Sequence, residues 1–140
     1  MPENTLFEQV FKTYINKIKS FELLGLTDEE INEDMENKLD VALGYFINAR
    51  DIEADFDLRE FNRKLERLEI NILAEFMVVE WLTPKVLSES NIHDRLSSRD
   101  YKDHSPANML DKLTKLKKET ENNVFGWVNK YSFMKKKVVK

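Results

Sequence analysis

Two histidines are the residues of this chain best suited to metal binding or proton transfer, and each stands alone. His93 and His104 are eleven positions apart, whereas a metal site needs several His, Cys or carboxylate side chains that converge. The chain has no cysteine, which excludes disulfides, thiolate ligands and cysteine nucleophiles. We therefore expect both histidines to be exposed or to cap a helix.

Asp55, Asp57 and Glu66 have part of the spacing of a calcium-binding EF-hand loop. Such a loop needs an oxygen ligand at its fifth position and a glycine at its sixth, where this chain has Arg59 and Glu60. The three glycines are isolated, so no glycine-rich loop is available to bind a phosphate. We predict no cofactor and no metal, and we predict that the protein is not an enzyme.

The elements that position these residues are predicted to be helices. Only three glycines and three prolines occur in 140 residues, which favours long helices with few turns. A chain of this length is one domain by default and is long enough to bury a core. It has no apolar run of roughly 18 residues, so we expect no contact with a membrane.

Two N-terminal helices are predicted from helix caps and apolar spacing. Thr5 with Glu8, and Thr27 with Glu30, match the capping box that opens a helix. Apolar residues then recur every three or four positions, which places them on one face of each helix. They are Leu6, Phe7, Val10, Phe11, Tyr14, Ile15 and Ile18 in the first helix, and Ile31, Met35, Leu39, Ala42, Leu43 and Phe46 in the second.

A long third helix is predicted from Leu65 onward, after a loop at residues 48–57 and a short helical turn around Phe61. We expect Pro84 to kink or break this helix near residues 81–83, because proline removes a backbone donor and crowds the preceding turn. Apolar residues occur on most of its sides, which indicates a central position. We expect four of its side chains to be buried, namely Leu73, Phe76, Met77 and Trp81.

The last helix follows a connector at residues 97–104, with Ser105 suited to the N-cap and Pro106 to the next position. Its narrow apolar stripe consists of Leu110, Leu113, Leu116, Thr120, Val124, Trp127 and Tyr131. The predicted fold class is therefore all-α: a small bundle of about four helices, with two long C-terminal helices and an extended C-terminal tail. Residues 1–133 form the predicted domain and residues 134–140 a basic tail.

The charge is unevenly distributed along the chain. Residues 1–80 hold 9 Lys/Arg and 19 Asp/Glu, whereas residues 81–140 hold 13 Lys/Arg and 7 Asp/Glu. One interpretation is two solvated surfaces that happen to differ. The other is a head-to-tail contact between copies, in which the last helix provides three inter-subunit side chains, Lys112, Lys115 and Lys118.

The C-terminal segment is predicted to dock on a partner. Its apolar residues are interrupted by three consecutive lysines, which prevents burial as a regular amphipathic helix, and the alternative is a frayed terminus without function. The docking residues are predicted to be Tyr131, Phe133, Met134, Lys135, Lys136, Lys137, Val138 and Val139.

Several motifs resemble the head-to-tail connector proteins, or neck adaptors, of tailed bacteriophages. The run Glu69-Ile-Asn-Ile-Leu-Ala-Glu-Phe-Met-Val-Val-Glu-Trp-Leu82 is similar to the central helix of that family. Tyr101-Lys102 followed by Ser105-Pro-Ala-Asn-Met-Leu110 and the closing Tyr131-Ser-Phe133 are also similar, as is Leu26-Thr-Asp-Glu-Glu-Ile31. These motifs are helix caps and core residues rather than catalytic groups.

This resemblance implies a structural virion protein of the phage neck, made in the host cytoplasm. It implies a homo-oligomeric ring, commonly of twelve copies, between the portal protein and further neck or tail proteins around the DNA channel. The alternatives from other classes are an intracellular helical protein–protein interaction module and a DNA-associated packaging factor that uses the basic C-terminal half. A fold-level analogy does not by itself establish a function.

Overall fold

The computed structural model describes residues 3–21, 34–96, 99–100 and 109–138, with side chains as far as residue 135. The chain forms helix α1 (Phe7–Lys19), helix α2 (Met35–Tyr45), strand β1 (Ala54–Asp55), strand β2 (Glu60–Phe61), helix α3 (Arg67–Arg95) and helix α4 (Met109–Val138). The prediction of an all-α bundle of about four helices with two long C-terminal helices is confirmed.

The N-terminal segment is held by backbone pairing rather than by a capping box. Leu6 precedes α1 without a side-chain cap, so the predicted capping role of Thr5 is wrong. The Thr5 hydroxyl instead accepts a hydrogen bond from the Leu65 N–H at 2.8 Å, and the Thr5 carbonyl accepts one from the Phe61 N–H at 2.8 Å. Residue 5 therefore joins the start of the chain to the segment that leads into α3.

A β-hairpin replaces the helical turn predicted around Phe61. Ala54 pairs with Phe61 and Asp55 with Glu60 in an antiparallel register. The Asp55 carboxylate accepts the backbone N–H groups of Asp57 and Leu58, both at 3.0 Å, which stabilises the turn. Such local side-chain bonds offer the backbone an alternative to a helix.

Helix α3 is the centre of the bundle, and α1, α2 and α4 all pack against it. Leu73, Phe76, Met77 and Trp81 are buried, which confirms the predicted core. The helix continues through Pro84 to Arg95, so the predicted break does not occur. Pro84 is exposed at the surface of the helix.

Helix α4 packs antiparallel to α3, because Tyr131 near its C-terminal end contacts Glu69 near the start of α3. It extends to Val138, so residues 134–138 continue the helix instead of forming the extended tail that was predicted. Three predicted features, the caps at Thr27 and Ser105 and the position of His104, lie outside the described residues. No helix within the described ranges is long and apolar enough to cross a membrane.

Candidate functional site

The most elaborate polar cluster surrounds Glu69, whose side chain is 0% exposed. Its position in the first turn of α3 lets one carboxylate oxygen accept the Glu66 backbone N–H at 2.7 Å. The Arg63 guanidinium, which precedes the helix, binds both carboxylate oxygens at 2.9 and 2.5 Å. The Tyr131 hydroxyl of α4 donates a further bond at 2.8 Å.

The ionisation of the cluster follows from these contacts. Burial opposes the charge on Glu69, but the bonds from Arg63, the Glu66 backbone and Tyr131 outweigh it and lower the pKa of this carboxyl below its usual value. The bond to Glu69 raises the pKa of Arg63 above its ordinary range. Burial and the bond to Glu69 raise the pKa of the Tyr131 hydroxyl. The cluster therefore holds an ion pair and a neutral phenol at neutral pH.

This arrangement is suited to structure rather than to proton transfer. A carboxylate has about four acceptor positions, and Glu69 receives four donors. No acceptor position is left over for a substrate proton. The Arg63 side chain also reaches Asp51 at 2.8 Å, so the cluster joins the loop before the hairpin to α3 and α4.

A second buried carboxylate on α3 has a similar structural role. Glu75 accepts a hydrogen bond from the Lys17 ammonium of α1 at 2.9 Å. The same ammonium lies 5.0 Å from the centre of the Trp127 ring on α4. Lys17 therefore links α1, α3 and α4 through one charge, by an ion pair and a cation–π contact.

The structure separates the predicted docking residues into two groups. Tyr131 is 2% exposed, packs edge-on against Phe46 and bonds to Glu69, so it is a core residue that no partner can reach. Phe133 and Met134 are exposed, whereas the half-buried Lys135 pairs with Glu66 at 2.9 Å. Lys136, Lys137 and Val138 belong to α4 without described side chains, and Val139 lies outside the described residues.

The predicted inter-subunit residues Lys112, Lys115 and Lys118 are all exposed on α4. They lie on the side of the helix away from Leu113, Val124 and Tyr131, the buried side chains that face the core. Phe125 is exposed on α4 as well, at 54%. The sequence did not predict a role for Phe125, although its place outside the apolar stripe was a signal of exposure.

The remaining predictions concern metal binding and the tryptophans. His93 is exposed and lies 3.6 Å from the carboxylate of its neighbour Asp94. Within the described ranges, no group of three or more His, Cys, Asp or Glu side chains converges as a metal site would require. Trp81 is buried and stacks on Phe21, as expected for a core anchor.

The Glu69 cluster was missed in the sequence, although a signal for it was present. Glu69 lies four residues after Leu65 and three before Ile72, on the apolar face of the predicted third helix. A lone carboxylate on such a face needs a partner, because an unpaired buried charge is very costly. The sequence pattern showed this need but not that Arg63 and Tyr131 meet it.

Comparison of the chain with protein-family models, with curated proteins and with solved structures gives no match.

Proposed function

We propose that this protein is a structural, non-enzymatic component of the neck of a tailed phage, where copies form a ring between the portal and the tail. The observation that carries the proposal is the surface of α4, one long helix that packs on α3 along one side and exposes lysines and a phenylalanine along the other. The location in the virion and the ring of copies enter the proposal from the sequence motifs that resemble neck adaptors.

The interior of the molecule supports a structural role. The two buried carboxylates of α3 contact neighbouring helices: Glu75 forms an ion pair with Lys17 of α1, and Glu69 accepts a hydrogen bond from Tyr131 of α4. Cross-links of this kind hold a small bundle in one shape. A subunit with a fixed shape can repeat the same contact around a ring.

The proposal is tested by the protein composition of phage particles and by the size of the complex with the portal protein. The chain should be present in purified phage particles, and co-expression with the portal protein of the same phage should give a complex in which several copies bind one portal. Mass spectrometry of particles and light scattering of the purified complex measure both properties. A chain that is absent from particles and stays monomeric with the portal would contradict the proposal and favour the intracellular interaction module.

The alternative function, a DNA-associated packaging factor, predicts that the basic half of the chain binds DNA. A packaging factor would bind duplex DNA with an affinity that falls steeply with salt, because each neutralised phosphate releases a counterion. In the neck proposal, by contrast, the protein surrounds DNA without binding it strongly. A salt-dependent affinity for DNA with a slope of several ions, together with absence from particles, would favour the packaging factor.

A further inference from the structure

The hairpin carries an exposed leucine among carboxylates. Leu58 at the turn between β1 and β2 is 66% exposed, and Phe56 beside it is partly exposed at 37%. Exposed carboxylates lie beside Phe56: Glu53 and Asp57 line one shallow depression with it, and Asp40 lines another. None of these three carboxylates is ion-paired within the described part of the chain, whereas Arg59, which follows Leu58, is paired with Glu8 and Glu36. We call Asp40, Glu53, Phe56, Asp57 and Leu58 the acidic hairpin face.

Two contacts bring this face together. Phe56 and Asp40 line the same shallow depression, so the hairpin lies next to the outer side of α2. The Phe56 ring also packs edge-on against the buried Phe7 of α1, with centroids 5.1 Å apart. The face is therefore attached to the core through α1 and α2.

Helix α4 carries the complementary surface. At about 100° of rotation per residue, its outward side presents Phe125, four lysines and two carboxylates, all exposed: Lys112, Lys115, Lys118, Lys130, Asp111 and Glu119. Four positive and two negative side chains give this side a net charge of +2. Gly126 follows, and the position that its Cβ would take has nothing within 4 Å. Glycine weakens a helix relative to alanine, but here it leaves the backbone open to a neighbouring chain. We call Lys115, Lys118, Phe125 and Gly126 the basic helix face.

The two faces do not cover each other within one copy, because Leu58 and Phe125 are both exposed. The acidic hairpin face is attached through α1 and α2, whereas the basic helix face is the side of α4 that points away from α3. A contact between them must therefore join two copies. Because the faces are different surfaces, the contact is head-to-tail, and such a contact closes into a ring or continues as a filament.

We infer that the acidic hairpin face of one copy docks on the basic helix face of the next, with Leu58 packed against Phe125 and the carboxylates of the hairpin face near Lys115 and Lys118. The inference rests on the self-assembly in the proposed function and names the surfaces that achieve it. Both faces combine an exposed apolar side chain with charge, and the charges are opposite. Complementary charge orients such a contact, and like charge opposes it.

Charge reversal of one face at a time tests the inference. One variant carries Glu53→Lys and Asp57→Lys, and the other carries Lys115→Glu and Lys118→Glu. Each alone should associate at least about tenfold more weakly than the wild type, because both of its faces then have the same sign. Asp55 is left unchanged because its carboxylate holds the turn.

Mixing the two variants gives the decisive result. In the mixture, each basic face can meet an acidic face of the other variant, so association should return to near the wild-type level. A folding defect in either variant would not be rescued in this way. Sedimentation velocity at about 50 mM and about 500 mM salt should show the largest losses at low salt, where the charges are least screened.

Matched controls separate the contact from general effects of charge and apolar surface. Lys12→Glu with Lys64→Glu changes the net charge by the same amount as Lys115→Glu with Lys118→Glu, on other exposed positions, and should leave association unchanged. Phe125→Ser should weaken association about equally at both salt concentrations, whereas Leu87→Ser at an exposed position of α3 should not.

Three outcomes would overturn the inference: one-face variants that associate like the wild type, a mixture that is not rescued, or a wild type that does not self-associate. The proposed function is judged separately, by the presence of the chain in particles and on the portal. An assembling wild type with unaffected variants would thus leave the neck role standing and refute only these surfaces.

Discussion

Glu69 shows how one residue connects three parts of the chain. Its carboxylate binds Arg63 before α3, the Tyr131 hydroxyl of α4 and the Glu66 backbone, and all of these contacts lie in the interior or at its edge. A buried ion pair is not by itself evidence of high stability, but removal of one partner leaves the other charge uncompensated. Glu69 is therefore expected to be sensitive to substitution and to pH.

We predict that Glu69→Gln lowers the free energy of unfolding at pH 7 by about 1–3 kcal/mol, because Arg63 loses its buried carboxylate partner but keeps Asp51. The pKa of Glu69 is lowered from an ordinary value of 4.5 on folding. Its contribution is therefore complete above about pH 4.5 and is lost as the pH falls further through the folded-state pKa. Urea denaturation of both proteins from neutral to acidic pH measures this.

In the wild type, stability should fall more steeply below pH 4.5 than in Glu69→Gln, which has lost this titration. Glu53→Gln removes an exposed carboxylate and serves as the control, with an expected change below about 0.5 kcal/mol. Equal pH profiles for the wild type and Glu69→Gln would show that Glu69 does not contribute as described.

Helix α3 acts as the scaffold to which the other helices attach. It buries side chains on most of its circumference, and its two buried carboxylates face different neighbours, Tyr131 of α4 for Glu69 and Lys17 of α1 for Glu75. Pro84 does not break it, since the helix runs on to Arg95. The helix therefore tolerates the local cost of proline, which is about 3 kcal/mol in a helix interior.

We predict that Phe76→Ala destabilises the protein by about 3–5 kcal/mol, because a large buried side chain is replaced by a cavity. Phe76 is 5% exposed and stacks on Tyr45 of α2 with ring centroids 5.7 Å apart. Leu87→Ala is the control at an exposed position of the same helix, with an expected loss below about 0.5 kcal/mol. Thermal and urea unfolding distinguish the two, and similar losses would contradict the central position of α3.

At the scale of the whole molecule, the C-terminal end of α4 belongs partly to the core and partly to the surface. Tyr131 is enclosed between Phe46 and Glu69, and Ser132 accepts a hydrogen bond from the Asn48 amide. Beyond them, the contact between Lys135 and Glu66 is solvent-exposed. An exposed pair contributes only about 0–1 kcal/mol, so we place the end of the stable unit near residue 133.

We predict that deletion of residues 134–140 lowers the thermal midpoint by less than about 4 °C, since it removes one exposed ion pair. Deletion of residues 131–140 also removes the buried Tyr131 and should destabilise the protein by about 3–5 kcal/mol. Calorimetry of both truncated proteins measures the difference.

The exposed end of α4 is still predicted to dock on a partner. This prediction is tested by whether the protein that lacks residues 134–140 is incorporated into particles. If the protein lacking residues 134–140 is folded but absent from particles, the segment docks on a partner. Normal incorporation would contradict docking, and a large thermal loss would show that the segment is part of the fold.

The sequence by itself determined the helices and the side of each that faces the core. Apolar spacing is a local property, so Leu73, Phe76, Met77 and Trp81 were identified correctly, and the lysines of α4 were correctly placed off its apolar stripe. The same local signals failed at Thr5, where a capping pattern competed with a backbone donor sixty residues away.

Only the tertiary structure decided which distant groups meet. Tyr131 was predicted both as the last residue of the apolar stripe and as a docking residue. Its hydrogen bond to Glu69, sixty-two residues earlier, and its contact with Phe46 show that it belongs to the core. The N-terminal segment pairs with residues 59–63, beside the hairpin, and no periodicity in that region indicates this pairing. Pairings at such separations depend on how the helices pack around α3, and that packing is a property of the whole chain.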